Sequence, residues 1–256
     1  MSRLQRFAYA QTRIQASHAC FPGDAEWQRL EAITHTEHLL DRLRNSPLRP
    51  WVSSLNARMD AHQVERILRA HWREHIETVA LWQPPEWRAA VQWTKQLADT
   101  TVLQHLLEHS VIAEWIRSDP ALRPFALDDP DRRIRALRES AYAPMIQTWR
   151  GEPRHLISGW HRRWRALWPR TSAGERQALE WLAGRLHEQH EVLASGELHD
   201  SRAARQRLLT GLLPEFRQRT FQPAAAFLHL AITAIHLERL RGVLLRLLLF
   251  GGERVA

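Results

Sequence analysis

Phe221-Gln-Pro-Ala-Ala-Ala-Phe-Leu-His-Leu-Ala-Ile-Thr-Ala-Ile-His-Leu-Glu-Arg-Leu-Arg-Gly-Val-Leu-Leu-Arg-Leu-Leu-Leu-Phe250 decides the fold class. The stretch is apolar around nearly its whole helical circumference, yet it carries Glu238, Arg239, Arg241 and Arg246. A membrane-spanning helix needs roughly 20 apolar residues with few charges. Four charges and two histidines argue against insertion, because each charge costs a few kcal/mol at the bilayer centre. A helix that is apolar all round without spanning a membrane belongs at the buried centre of a larger helical assembly. At about 100° per residue, Phe227, Ala231, Ala234, Glu238, Gly242 and Leu245 share one face. Glu238 is therefore expected to point into packing, with Arg241, three residues on, as its nearest partner within the helix. That pair is either a structural ion pair or a contact with a partner.

The rest of the chain fits a helical body. With 256 residues it is long enough for a sizeable core. It has 44% hydrophobic residues, 12 Trp, only 10 Gly and no sustained strand-like alternation, which together indicate an all-α protein. The single Cys20 excludes a disulfide framework within the chain and suits a reducing compartment. Met-Ser-Arg-Leu-Gln-Arg-Phe has no apolar core behind it, so no secretory signal is expected. The net charge of +8 is carried almost wholly by arginine, since Lys95 is the only lysine. Codon bias accounts for arginine in place of lysine. It does not account for the excess of positive charge, which favours an acidic neighbour.

Helices are expected over Leu4–Cys20, from Asp24 to Ile33 and from Thr36 to Arg44, with Asp24 and Thr36 read as caps. A strong amphipathic helix follows from Ala61 to Trp82, ended by Pro84-Pro85. Glu86–Arg117 reads as one long helix. Pro120, Pro124 and Pro130 make Ser118–Pro130 the clearest loop, the place where a single helical domain of residues 1–256 would divide internally. Helices resume over Asp131–Arg150, Pro153–Trp168, Ser172–Ala194 and Ser201–Thr210, with Pro214 and Pro223 before the last.

Two stretches invite chemistry. His71-Trp-Arg-Glu-His75 and His105-Leu-Leu-Glu-His109 both fit the inverted zinc-protease pattern H-x-x-E-H, in which two histidines share a metal and the glutamate acts as base. With 15 histidines in the chain, such pairs are expected by chance. On the wheel, His71 and His75 fall inside the stripe of Val64, Ile67, Leu68, Trp72, Val79 and Trp82, while Glu74 lies off it. His105 and His109 lie opposite Leu103, Leu107 and Val111. Packed or surface histidines, and no metal, are the expectation. Trp160-His-Arg-Arg-Trp-Arg-Ala-Leu-Trp168 interleaves rings and cations as nucleic-acid binders do. Leu156, Ile157, Trp160, Trp164, Leu167 and Trp168 nevertheless form one stripe with Arg162 and Arg165 facing away, the pattern of an amphipathic core helix. There is no phosphate-cradling glycine loop and no G-x-S-x-G elbow, and Cys20 has no evident activating partner. No catalytic residue and no cofactor are assigned.

A resemblance emerges from several segments together. Tyr9-Ala-Gln-Thr-Arg13-Ile14 is similar to the first helix of the C subunit (d in eukaryotes) of V-type and A-type rotary ATPases, where a tyrosine precedes an arginine-bearing turn. Leu30–Leu55, including His38-Leu-Leu-Asp-Arg-Leu43 and Pro47-Leu48, is similar in order to that family's following short helices. Gln92-Trp-Thr-Lys-Gln-Leu-Ala-Asp99 through Leu107 resembles its helix carrying an acidic residue before an apolar run. Ala226 to Leu244, with Glu238 and Arg241, resembles its closing helix. The chain is shorter than typical members and richer in Trp and Arg.

The resemblance implies a funnel of helices in sectors around a pseudo-threefold axis. Such a subunit lies peripherally on the cytoplasmic side of a membrane, seated on the proteolipid ring of the membrane sector. It receives the rotor shaft subunits of the soluble ATPase sector and couples ATP hydrolysis to proton or sodium transport without catalysis of its own. Tyr9, Arg13, Glu238 and Arg241 are the interface residues it suggests. Two other classes stay open: a basic helical nucleic-acid-binding protein, not expected on this resemblance, and an H-x-x-E-H metallohydrolase.

Overall fold

Helix formation along the chain follows from apolar spacing, and the computed structural model describes residues 3–194 and 198–250, with side chains for 5–191 and 203–250. Among the described residues there is no strand, so the protein is all-α. The chain divides into two compact units, one drawn from residues before 84 and after 211, the other from 84–211. The proline-rich stretch 118–130 lies inside the second unit.

In the first unit, α1 (Arg3–His18), α2 (Asp24–Glu31), α3 (Thr36–Arg44), α4 (Arg49–Val52) and α5 (Ala61–Trp82) precede the long closing helix α14 (Pro223–Phe250). The limits of α5 are set locally. Asp60 accepts from the Gln63 N–H while the Gln63 side chain accepts from the Asp60 N–H, closing a capping box. The far end stops at Gln83, which Pro84 holds extended. Asp24 and Thr36 open their helices without capping them, since Gly23 and His35 occupy the cap positions and neither makes a side-chain cap bond.

Helix α14 packs on α1, α5 and α3, which explains why it is apolar on every side. Phe227, Leu228, Leu230, Ile232, Leu240, Val243, Leu244 and Leu247 are buried. Trp27, Leu39, Leu43, Trp51, Val64 and Leu68 form one core with its C-terminal half. The cations sit at its margins: Arg239 pairs with Glu31 at 2.6 Å and Asp24 at 3.1 Å, and Arg246 donates to the carbonyls of Glu31 and Ile33. Entry into α14 is held by Phe221, whose φ of 58° is left-handed. Its N–H donates to Oε1 of the buried Gln11, 3.0 Å away.

The second unit holds α6 (Pro85–Gln92), a 3₁₀ segment Trp93–Asp99, α7 (Thr100–Glu108), α8 (Glu114–Ser118), a 3₁₀ turn Arg123–Phe125, α9 (Pro130–Arg138), α10 (Ala143–Ile146), α11 (Pro153–Ala166) and α12 (Ala173–Ala194). The expected long helix 86–117 is therefore broken into four pieces. Its break is a tertiary effect. Trp93 Nε1 donates to the Trp160 carbonyl at 3.0 Å and Trp160 Nε1 to the Trp93 carbonyl at 3.2 Å, locking the tightened segment to α11. The Thr94 and Thr100 hydroxyls bond the carbonyls three residues back, which suits a 3₁₀ pitch. Beyond α7, the buried Arg133 donates to the carbonyls of His109 and Leu127 and fixes the turn.

Helix α13 (Leu198–Gln218) runs through Pro214 instead of ending at Thr210. Proline removes the bond to the Thr210 carbonyl. Burial of Ala204, Leu208, Leu212 and Phe216, four residues apart on one face, outweighs that loss.

One local build occurs in both units. Leu43-Arg-Asn-Ser46 ends α3: Ser46 Oγ donates to the Leu43 carbonyl at 2.7 Å and accepts from the Leu48 N–H at 3.1 Å, and α4 begins with Pro50 at its second position. Leu137-Arg-Glu-Ser140 ends α9 in the same way. Ser140 Oγ donates to the Leu137 carbonyl at 2.7 Å and accepts from the Tyr142 N–H at 3.1 Å, and Pro144 is second in α10. Leu48 and Tyr142 have nearly the same dihedrals, −80°, −1° and −84°, −6°. Asp119 reproduces part of this after α8, its carboxylate accepting from the Ala121 N–H at 2.9 Å.

Candidate functional site

The residues singled out as contacts lie in two places on the first unit. Tyr9 is 60% exposed on α1, and Arg13, one turn on, places its guanidinium 5.3 Å from the ring centroid of Trp82 at the last position of α5. The indole face attracts the cation and holds it at a set position. Glu238 and Arg241 lie on α14, where Arg241 pairs with Glu65 near the start of α5 and stands 3.6 Å from Glu238. Seventeen residues of α5 separate Glu65 from Trp82, roughly 25 Å at 1.5 Å per residue. The two pairs are thus at opposite ends of the same helix.

Glu238 does not point into packing. Its side chain is 49% exposed and that of Arg241 45% exposed. Of the expected inward face, Phe227 is buried, whereas Glu238 and Gly242 lie outside. A helix apolar on all sides gives no wheel contrast from which to read the buried direction. The buried face instead carries His229, Thr233, His236, Leu240, Val243 and Leu247.

The H-x-x-E-H pairs are accounted for individually. His71 bonds Ser54 Oγ at 2.8 Å and lies 3.4 Å from Glu74, which faces solvent. His75 is enclosed by the rings of Trp51, Trp72 and His229, and burial lowers its pKa to about 4. His105 and His109 stack at 4.3 Å, and burial together with the neighbouring His109 lowers the pKa of His105. Among the described residues no group of three or more His, Cys, Asp or Glu is arranged to hold a metal ion. Cys20 is exposed, and its thiol bonds the Ala16 carbonyl.

On the second unit, Trp160 and Trp164 are buried in α11 with Leu156 and Ile157, as the stripe predicts, and Trp168, just past its end, is buried too. Arg162 and Arg163 are exposed, as are Arg132, Arg135 and Arg138 on α9, while Arg165 pairs with Glu180 at 2.8 Å. An open groove of about 420 Å³ lies among Trp93, Lys95, Gln96, Pro144, Arg163 and Leu167. Its lining includes two cations, Lys95 and Arg163. Tyr142 donates to the buried Asp99 at 2.8 Å, which fixes α10 against the 3₁₀ segment.

The fold also gathers a cluster of four histidines, from positions 18, 75, 229 and 236, out of three separate stretches of the sequence. The one sequence signal for it is the spacing of His229 and His236, seven residues apart on one face of α14. No helix among the described residues is long and apolar enough to cross a membrane. Comparison with family models, curated proteins and solved structures finds no match to this chain.

Proposed function

We propose that this chain is a non-catalytic coupling subunit of a V-type or A-type rotary ATPase, joining the rotor shaft to the membrane proteolipid ring. The observation that carries the reading is the serine-anchored helix–turn–short-helix build, formed by the same hydrogen bonds in both units. It supports a body of similar helical sectors, which is what the resemblance of α1 and α14 to that family's first and last helices implies. The two contact patches at opposite ends of α5 suit a protein with partners on two sides. In this reading Tyr9 with Arg13, and Glu238 with Arg241, touch different partners, and the positive charge faces acidic ring loops or lipid head groups. Each basic residue near an anionic membrane surface contributes about 1 kcal/mol.

The test is co-purification of the tagged chain from its native host at low and at high salt. The reading expects rotary-ATPase subunits to accompany it. It also expects ATP hydrolysis by the soluble sector to persist, uncoupled from ion movement, when the subunit is deleted. Recovery of nucleic acid, or of a monomer without ATPase subunits at either salt, overturns it. The exposed arginines of α9 and α11 are what a nucleic-acid-binding protein would use, and a steep fall in nucleic-acid affinity with salt would favour that alternative.

A further inference from the structure

His18, at the end of α1, His75 on α5 and His229 and His236 on α14 share one aromatic interior. The His75 and His229 ring centroids are 5.4 Å apart. Phe21 links the others: its ring is 6.2 Å from His18 and 6.4 Å from His229, and it stacks on His236 at 4.4 Å and 5°. Phe216 of α13 closes another side, 4.5 Å from His18 and 6.4 Å from His229.

The hydrogen bonding of this cluster is unusual. His229 is 0% exposed and neither of its ring nitrogens has a protein partner. His75 Nε2 and His18 Nδ1 are likewise buried without one. Only His236 is anchored, its Nδ1 accepting from Trp27 Nε1 at 3.2 Å. That bond requires a lone pair on Nδ1, and so is made only while Nδ1 carries no proton. Protonation of His236 at Nδ1 breaks it.

No carboxylate acts on His229. From α5 it faces His75, from α1 His18, and from α13 the ring of Phe216. His18 faces Arg217 of α13. His236 faces His18, Arg239 and Asp24, and Asp24 is already paired with Arg239. A proton added to His229 or His75 is a buried charge without a counter-ion, which costs several kcal/mol or forces the surroundings apart.

We propose that these four histidines form a proton-operated latch, which holds α14 against α1 and α5 while all the rings are neutral and releases it when the cluster takes up a proton. The electrostatics agree. Burial lowers His75 and His236 to about 4, and lowers His18 and, well below its usual value, His229. The unfolded or opened state has ordinary imidazoles near pH 6.5, so it binds protons first as the pH falls. Closed packing is therefore favoured above about pH 6.5 and lost below it, roughly tenfold per pH unit for each proton taken up on opening. The inference does not depend on the rotary-ATPase reading.

Amide hydrogen exchange of the full chain at pH 7.5, 6.5 and 5.5, corrected for the intrinsic pH dependence of exchange, tests it. Segments of α14 around 225–240 and of α5 around 71–80 are expected to lose protection by tenfold or more between pH 6.5 and 5.5. His75→Phe with His229→Leu is expected to keep protection in those segments to lower pH. Protection that holds unchanged to pH 5.5 in the unaltered protein overturns the proposal, as does loss at the same pH in both proteins. Should the double variant fail to fold, imidazole NMR of the unaltered chain decides. Rings that titrate only as α14 loses protection uphold the latch; rings of the cluster that titrate while α14 stays protected refute it.

Discussion

At the scale of single residues, Gly159 and Glu238 make opposite predictions. A Cβ on Gly159 would stand 2.6 Å from the Pro144 carbonyl oxygen, 2.8 Å from Met145 Cα and 2.3 Å from Thr148 Oγ1. Two of these are backbone atoms and cannot swing away, so Gly159→Ala must push α10 off α11. The expected cost is about 1–3 kcal/mol, visible as a lower denaturant midpoint with an unchanged slope. Glu238→Ala should do little. The pair with Arg241 is half-exposed and Glu65 remains to hold the arginine, so a loss under about 1 kcal/mol is expected. A shift of several kcal/mol in the same measurement would mean that Glu238 is buried after all. The contrast shows what the linear sequence conveys at this scale. Residue types along α14 announce a central helix, but which way Glu238 faces depends on where α1, α3 and α5 lie.

Among the elements, the two serine-anchored turns offer a paired experiment. Ser46→Ala and Ser140→Ala each remove a donor bond and an acceptor bond from a half-buried turn. Each should cost about 1 kcal/mol. The turns belong to different units, so the double variant should lose the sum of the two, within the usual few tenths of a kcal/mol. Non-additivity in thermal or denaturant unfolding would show that the turns communicate. Ala61–Trp82 was legible to the residue because its start and stop are local: a capping box and a diproline. The stripe of Trp160, Trp164 and Trp168 was legible because it has a helical period. The break at Trp93 was not, because its cause lies 67 positions away at Trp160. Continuation of α13 through Pro214 is hidden from the sequence for a similar reason, since local chemistry argues for a stop and burial overrules it. The shared turns could have been found by setting Leu43-Arg-x-Ser-x-x-x-Pro50 beside Leu137-Arg-x-Ser-x-x-x-Pro144.

For the molecule as a whole, histidine burial sets the pH dependence of stability. Burial lowers His75 and His236 to about 4, His161 to about 3, and His190 and His229 in the same direction. A lowered folded-state value means that the unfolded chain binds more protons below pH 6.5, so folding is favoured above that pH and weakened beneath it. Each fully buried ring contributes a slope of up to about 1.4 kcal/mol per pH unit until its folded value is reached. Denaturation at pH 7.5 and 5.5 should therefore differ by several kcal/mol, a large part of the 5–15 kcal/mol typical of a folded protein. Equal midpoints at the two pH values would show that these rings are hydrated, with nearly ordinary affinities for protons.

The first unit is drawn from both ends of the chain, and that has a consequence for biosynthesis. A ribosome delivers α1 to α5 early and α14 only after everything else described here. Until then the apolar faces of α3 and α5, including Leu39, Leu43, Val64 and Leu68, have no closing helix to cover them. The second unit is contiguous and can complete its core while synthesis continues. Nascent chains stopped before residue 223 should thus be protease-resistant over 84–191 and sensitive over α1 to α5, and it is these early helices that a chaperone would have to shield.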